Sequence, residues 1–207
     1  NGVYDDTLII LMSDHGESFY DNKILHHREN NNYFLPDGTY TGHSHSLHEA
    51  EINVPLIFHY KKFKGKKVID SVIRTVDIFP TILDILNIDR PEGLDGKSFL
   101  SIFEGKSDNQ RIAYSEIPSS VGHSKCLRND KWKLIWNGGD NFELYDLKDK
   151  NEEKNVYSQN PEVSSFLRKE FGNLLGNLDM FTDQTVNLDN NVKEDLVELG
   201  YVFNKKD

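Results

Sequence analysis

The first hundred residues contain short apolar blocks of strand length and one block with helical spacing. Residues 7–12 (TLIILM) and 52–60 (INVPLIFHY) are mainly apolar, which predicts strands buried on both faces, as in a parallel sheet. Residues 19–41 between them are polar and predict a long loop. Residues 77–88 carry Ile and Leu on one helical face, with Asp77 as the N-cap. This order of elements predicts an α/β fold.

The pattern changes near residue 106. The segments RIAYSEI, SKCLRNDKWKLIWN and FELYDLKD are short, rich in aromatic residues and separated by turn signals, so they predict an antiparallel meander. Residues 161–181 have apolar positions at helical spacing and predict a helix that packs on that sheet, and residues 190–202 predict a short terminal helix. We therefore predict an α/β domain over residues 1–105 and a small antiparallel-sheet-and-helix subdomain over residues 106–207.

Charge and composition exclude several classes of partner. The formal net charge is −10, and such a surface repels nucleic-acid phosphates and anionic lipid. No apolar run approaches the ~18 residues of a membrane-spanning helix. The one cysteine, Cys126, excludes an internal disulfide. Because the chain opens almost directly inside a predicted strand, we expect a fragment of a longer protein, and the sequence predicts no compartment.

Asp14 and His15 follow the first predicted strand directly. In open α/β sheets ligands bind beyond the carboxyl ends of the strands, so this pair is expected at the edge where a site forms. A carboxylate and a neutral imidazole together are good ligands for a divalent cation. The alternative is that Asp14 caps the segment that follows and that His15 is simply a polar residue.

Three further histidines, His43, His45 and His48, precede the second predicted strand. If the two strands are neighbours, His43 and His45 can face the same opening as His15. An imidazolium there would supply the positive centre that an anionic ester needs in so acidic a protein. The alternative is that these are solvated loop histidines.

These segments carry a resemblance to a known family. SDHGES (13–18) and GHSHSLHEAEINVPLIF (42–58) resemble the C-terminal half of the sulfatases, within the alkaline phosphatase superfamily. The family pattern there is S/T-D-H/N-G, then G-H or G-K, then L-Y-E-E and a V-P-L-I strand, and His48 stands where tyrosine is usual. The likeness continues in order through VIRTVDIFPTILDILNI (72–88), RPEGLDGKSFLSIFEG (90–105), SKCLRNDKWKLIWN (124–137) and FELYDLKDKNEEKNVY (142–157).

The resemblance implies a fold and roles for particular residues. It implies the C-terminal part of an alkaline-phosphatase-like α/β/α sandwich followed by a small subdomain. Asp14 and His15 match the two metal ligands contributed by this half, and His43 matches the basic residue that contacts the sulfate and assists the leaving group. We expect His45 to bind substrate beside His43. Calcium is the expected metal, with manganese or magnesium as alternatives, and an imidazole ligand favours manganese or zinc modestly.

The nucleophile implied by the resemblance is a formylglycine in a C/S-x-P-x-R motif, which these 207 residues do not contain. Cys126 lacks the accompanying proline and arginine and is interpreted as structural. We therefore predict a C-terminal fragment of a metal-dependent hydrolase that cleaves sulfate esters, inactive on its own.

Two alternatives stay open. The first is a phosphodiesterase, phosphonate hydrolase or phosphoryl transferase of the same superfamily, and the second is a non-catalytic binding module. The expected partner is a small-molecule sulfate or phosphate ester. An exposed core face is expected to cause self-association, or pairing with the missing N-terminal half.

Overall fold

The structure, a computed structural model, describes residues 3–19, 41–43, 46–106, 111–117 and 124–177. Most of the predicted loop over residues 19–41, His45 and the predicted helix over 190–202 lie outside the described residues. Within the described part, none of the helices has the length and apolar composition needed to cross a membrane.

The strands of the described part form three antiparallel groups. β1 (Ile9–Met12) pairs with β4 (Leu56–His59), and β2 (Ser18–Phe19) pairs with β3 (Thr41–Gly42). The third group is a four-stranded meander of β5 (Ala113–Ile117), β6 (Ser124–Arg128), β7 (Trp132–Trp136) and β8 (Phe142–Asp146). The α-helices are α1 (Glu49–Ile52), α2 (Ile78–Leu86), α3 (Leu100–Phe103) and α4 (Pro161–Asn177). Single turns of 3-10 helix cover Tyr4–Asp6, Thr75–Asp77 and Tyr157–Gln159. The mixed α/β class and the antiparallel meander are confirmed.

The expectation of a parallel arrangement is wrong for β1 and β4. The two strands run antiparallel, with Met12 opposite Leu56 and Ile9 opposite His59. This direction places the start of β4 beside the end of β1. In a parallel pair the start of β4 would instead lie beside Ile9, about 10 Å away along the strand. The antiparallel direction therefore brings the segment before β4 to the site-bearing end of β1.

The expectation that β1 is buried on both faces is also wrong for this chain. Ile9, Leu11 and Ile57 are 40%, 55% and 57% exposed, and the pairing register puts all three on one face. The opposite face packs inward, where Phe58 contacts Phe99 and Phe103 at ring-centroid distances of 5.6 and 5.5 Å. The sheet pair thus has one covered apolar face and one open apolar face.

Helix α2 confirms the helix predicted over residues 77–88, and a buried carboxylate lies at its N-terminus. Asp77 occupies the N-cap position but makes no side-chain cap to α2. Its carboxylate accepts bonds from Arg74, Arg111 and the backbone N–H of Lys97, at distances down to 2.6 Å. Burial would raise the pKa of Asp77, but the hydrogen bonds from Arg74 and Lys97 outweigh it and hold that pKa below its ordinary value.

The meander has a closely packed interior. Cys126, Leu134 and Leu144 are each 0% exposed. Burial raises the pKa of the Cys126 thiol to about 11, which fits the interpretation of this cysteine as structural. The chain divides into two compact units, residues 1–165 and 166–207. The boundary at residues 105 and 106 stays a prediction.

Candidate functional site

Asp14 and His15 lie in the turn that follows β1. Asp14 Oδ1 lies 3.7 Å from His15 Nε2, and it also accepts the backbone N–H of His15 at 3.0 Å. Two atoms that bind one ion at about 2.0–2.5 Å each can be this far apart. The Asp14 side chain is 73% exposed and that of His15 is 34% exposed, so both are accessible to a ligand.

The tautomer of His15 follows from its hydrogen bond. Its Nδ1 lies 2.8 Å from the carbonyl oxygen of Gly16. A carbonyl can only accept, so Nδ1 is the donor, and in the neutral ring Nε2 carries the lone pair. Metal-binding histidines are commonly oriented in this way by a carbonyl on the other ring nitrogen. His15 therefore presents a ligand nitrogen on the side of the Asp14 carboxylate.

Gly16 allows the turn to lie directly against α1. Its N–H donates to the Glu51 carbonyl at 2.8 Å. A Cβ at this position would lie 2.0 Å from the carbonyl oxygen of Ala50, a separation that real Cβ atoms essentially never show. The glycine is thus required by close backbone approach, and the position of Asp14 and His15 is set by contact with α1.

His43 lies next to His15. The two imidazole rings stack with their centroids 3.9 Å apart and 24° between their planes. The pairing of β2 with β3 contributes to this arrangement, because Ser18 lies opposite Gly42. His43 Nδ1 also lies 2.9 Å from Glu17 Oε2. His45, the other predicted substrate-binding residue, lies outside the described residues.

The segment that carries His43 is fastened to α1 by Glu51. The Ser46 hydroxyl donates to Glu51 Oε1 at 2.7 Å, and the Ser46 backbone N–H approaches Oε2 at 3.3 Å. Glu51 is 5% exposed, so these bonds form away from bulk water, where leaving a group unpaired is costly. One residue therefore holds both segments: its carbonyl binds the Gly16 turn, and its carboxylate binds the segment after His43.

Behind α1 lies a buried charge cluster formed by His48, Glu49, Arg128, Lys133 and Glu152. Lys133 is 0% exposed, and its Nζ lies 3.0 Å from Glu49 Oε1 and 2.6 Å from Glu152 Oε1. Arg128 donates to both oxygens of Glu49 at 3.0 and 3.1 Å. His48 is 4% exposed, with Nδ1 3.3 Å from Glu152 Oε2, so the alternative of a solvated loop histidine is excluded for His48.

The charges of this cluster compensate one another. Burial acts to raise the pKa of Glu49, but the hydrogen bond from Arg128 and the charge of Lys133 outweigh it. Burial likewise acts on Glu152, against its close contact with His48 at 3.3 Å and the charge of Lys133. Both pKa values lie below the ordinary 4.5, so both carboxylates are ionised at neutral pH. Lys133 Nζ also donates to the Leu47 carbonyl at 3.0 Å, which ties the meander to the segment before α1.

Sequence reasoning missed three residues of this region: Glu17, Glu51 and Lys133. Glu17 directly follows Asp14-His15-Gly16, so the sequence places it near the candidate site. Its partner His43 is 26 residues away, and the sequence does not indicate that the two side chains meet. Glu51 directly precedes the strand predicted over residues 52–60 and Lys133 lies in a predicted strand of the meander, and nothing local marks either residue as buried. These contacts form only when the chain is folded.

The chain belongs to the sulfatase class of α/β proteins, within the alkaline phosphatase superfamily, and it corresponds to the C-terminal portion of those proteins. Residues 43–177, well over half of the chain, match the family described as N-sulphoglucosamine sulphohydrolase, C-terminal, and the chain belongs to that family. The match begins at His43, so the turn with Asp14 and His15 precedes it.

Individual proteins show the same likeness. Arylsulfatase K from Mus musculus is 28% identical over 172 residues, which is 76% of this chain and 28% of the mouse protein. BT4656, solved in complex with its substrate D-glucosamine-2-N,6-O-disulfate, superposes with a TM-score of 0.68 at 23% identity, over 86% of this chain and 36% of that one. A phosphonate monoester hydrolase from Agrobacterium radiobacter superposes with a TM-score of 0.62 at 24% identity, over 84% and 36%. This chain thus spans about a third of the length of such proteins.

Proposed function

We propose that the full-length protein containing this chain hydrolyses sulfate esters of a small molecule, with a divalent metal ion. The observation that carries the proposal is the stacking of His15 against His43, beside Asp14, in a chain of a sulfatase family. The relatives include an arylsulfatase, and one structural neighbour has a sulfated glucosamine as its substrate. The likeness to solved structures supports the fold.

Asp14 and His15 would hold the metal ion. The 3.7 Å spacing of Asp14 Oδ1 and His15 Nε2 and the tautomer of His15 fit this role. A bound cation would supply positive charge that polarises the ester and offsets the negative charge of the protein. We propose calcium, with manganese or magnesium as alternatives.

His43 would contact the sulfate group and stabilise or protonate the leaving oxygen. It lies beside the proposed metal ligands, and its side chain is 24% exposed, so it is partly shielded yet accessible. The overall reaction consumes water, breaks the bond between sulfur and the ester oxygen, and releases an alcohol or phenol and sulfate. The nucleophile would come from residues outside this chain, which by itself we expect to be inactive.

The test is steady-state hydrolysis of a chromogenic aryl sulfate by the full-length protein, with aryl phosphate and phosphonate esters alongside. We expect turnover of the sulfate, and we expect His43→Ala to lower kcat by about 100-fold or more while leaving far-UV circular dichroism unchanged. His59→Ala is the matched control, because His59 lies at the far end of β4 from the site. Unchanged turnover in His43→Ala would remove His43 from the mechanism, and preferential cleavage of the phosphate or phosphonate ester would replace the sulfatase proposal by phosphoryl chemistry.

We further propose that the open apolar face of Ile9, Leu11 and Ile57 is covered in the full-length protein by the rest of the α/β domain. The isolated 207-residue chain should then self-associate through this face. Ile57→Lys should shift the chain toward the monomer in size-exclusion chromatography with light scattering. An unchanged elution profile and mass would show that this face does not mediate association.

A further inference from the structure

Glu17 makes a contact with His43 that the proposed roles of Asp14, His15 and His43 do not use. Its Oε2 lies 2.9 Å from Nδ1 of His43, with side-chain exposures of 35% for Glu17 and 24% for His43. An ionised carboxylate can only accept a hydrogen bond, so Nδ1 of His43 is the donor. The other ring nitrogen, Nε2, lies on the side of the ring away from Glu17, and it is the atom from which a proton would reach the leaving oxygen.

The His43 ring is also restrained on its face. It stacks on His15 at a centroid distance of 3.9 Å, and this contact fixes the plane of the ring but allows it to turn within that plane. The hydrogen bond to Glu17 removes that remaining freedom, because it selects which nitrogen points toward Glu17. The stack and the hydrogen bond together define the ring orientation.

We propose that Glu17 is a positioning residue that orients His43 so that Nε2 faces the scissile ester. This inference rests on the proposed function of His43. Glu17 itself does not touch the reacting atoms; it acts through His43. The competing role is direct metal binding, because ligand atoms of His15, Glu17 and His43 all lie within 4.8 Å of one another.

A double-mutant cycle in the full-length protein separates the two roles. We expect Glu17→Ala to lower kcat about 10- to 100-fold with little change in KM, the size of effect typical when a supporting hydrogen bond is removed. In a His43→Ala background the same change should have no further effect, because the residue that Glu17 orients is already gone. Bound metal, measured by mass spectrometry of the purified protein, should not change.

Conservative variants sharpen the test. Glu17→Gln keeps an oxygen that can accept the Nδ1 proton and should retain most of kcat. Glu17→Asp withdraws the carboxylate by one methylene and should lose kcat nearly as Glu17→Ala does. Loss of bound metal in Glu17→Ala, or a further loss of kcat in the His43→Ala background, would overturn the positioning role in favour of metal binding. Unchanged kcat in Glu17→Ala would overturn it outright.

A second readout is independent of activity. Nitrogen-15 NMR of the imidazole side chains distinguishes a protonated Nδ1 from an unprotonated one. At fixed pH we expect Nδ1 of His43 to carry a proton in the wild type, the proton that it donates to Glu17, and to lose that preference in Glu17→Ala. If the full-length protein hydrolyses no ester at all, the proposed function fails. The NMR measurement still tests whether Glu17 orients His43, because an unchanged His43 spectrum in Glu17→Ala would overturn the inference.

Discussion

Replacing Gly16 by alanine tests whether the candidate site is positioned by contact with α1. The new Cβ would lie 2.0 Å from the carbonyl oxygen of Ala50 and 2.9 Å from its carbonyl carbon. Both neighbours are backbone atoms of a helix, so they cannot rotate away as a side chain would. The turn that carries His15 must move instead.

The required movement can be worked out from the structure. Ordinary contact begins at 3.4 Å, so the turn must withdraw by about 1.4 Å. That shift breaks the hydrogen bond between Gly16 N–H and the Glu51 carbonyl, at a cost of about 1 kcal/mol. It also displaces the adjacent Asp14 and His15. Because a displacement of about 1 Å in a catalytic group can cost about 100-fold, we expect kcat/KM to fall by about that factor.

The assay combines ester hydrolysis, metal content and unfolding in urea for the full-length protein. Gly172→Ala is the neutral control, since Gly172 lies in α4, nothing lies within 4 Å of the position its new Cβ would take, and alanine favours the helix. Gly96→Ala is the structural control, because its Cβ would lie 1.8 Å from the Val76 carbonyl and not against α1. Gly16→Ala with kcat/KM and bound metal within threefold of wild type would refute the reasoning. Equal losses in Gly96→Ala would show a general effect of destabilisation.

Two further predictions concern the buried charge cluster. Lys133→Met leaves Glu49 and Glu152 without the cation that they share, so we expect the free energy of urea unfolding to fall by about 3–5 kcal/mol. The exposed control Lys131→Met should show no measurable loss. A loss below about 1 kcal/mol in Lys133→Met would contradict the charge compensation between Lys133 and the two carboxylates. Because the folded pKa values of Glu49 and Glu152 are lowered, their stabilisation should be fully present above their ordinary 4.5 and should be lost as pH falls through the lowered values. Urea midpoints from neutral pH downward measure this, and a loss of stability already between pH 7 and 5 would point to other groups.

Local pattern was enough to predict β1, α2 and the antiparallel meander, but it missed α1, β2 and β3 and gave the wrong direction for the pairing of β1 with β4. The apolar run before Asp14 marked β1 correctly, and the aromatic runs after residue 111 marked the meander. An apolar run carries no information on whether its neighbour is parallel or antiparallel, since both faces read alike. The antiparallel pairing of β1 with β4 therefore could not be predicted from these residues, although it is what brings His43 to His15.

The burial of polar residues was the second feature that could not be predicted from the sequence. Lys133 lies in the run WKLIW, where a lone lysine between apolar neighbours indicates a solvent-facing position. It is 0% exposed because Glu49 and Glu152, 84 and 19 residues away in sequence, surround its ammonium. His48 is buried against Glu152, which is also distant from it in the sequence. Sequence identifies residues with chemical capability, but partners at such separations appear only once the chain is folded.

The meander helps to position the candidate site through its contacts with α1. A helix of four residues is too short to be stable by itself, because the cost of nucleation exceeds what one turn regains. Its position must come from tertiary contacts, and these reach it from the meander: Arg128 binds Glu49, and Lys133 binds the Leu47 carbonyl. On its other side α1 holds the Gly16 turn and Ser46 through Glu51. The meander therefore contributes to the proposed chemistry without lying at the site, since it fixes α1, and α1 holds both the turn with His15 and the segment after His43.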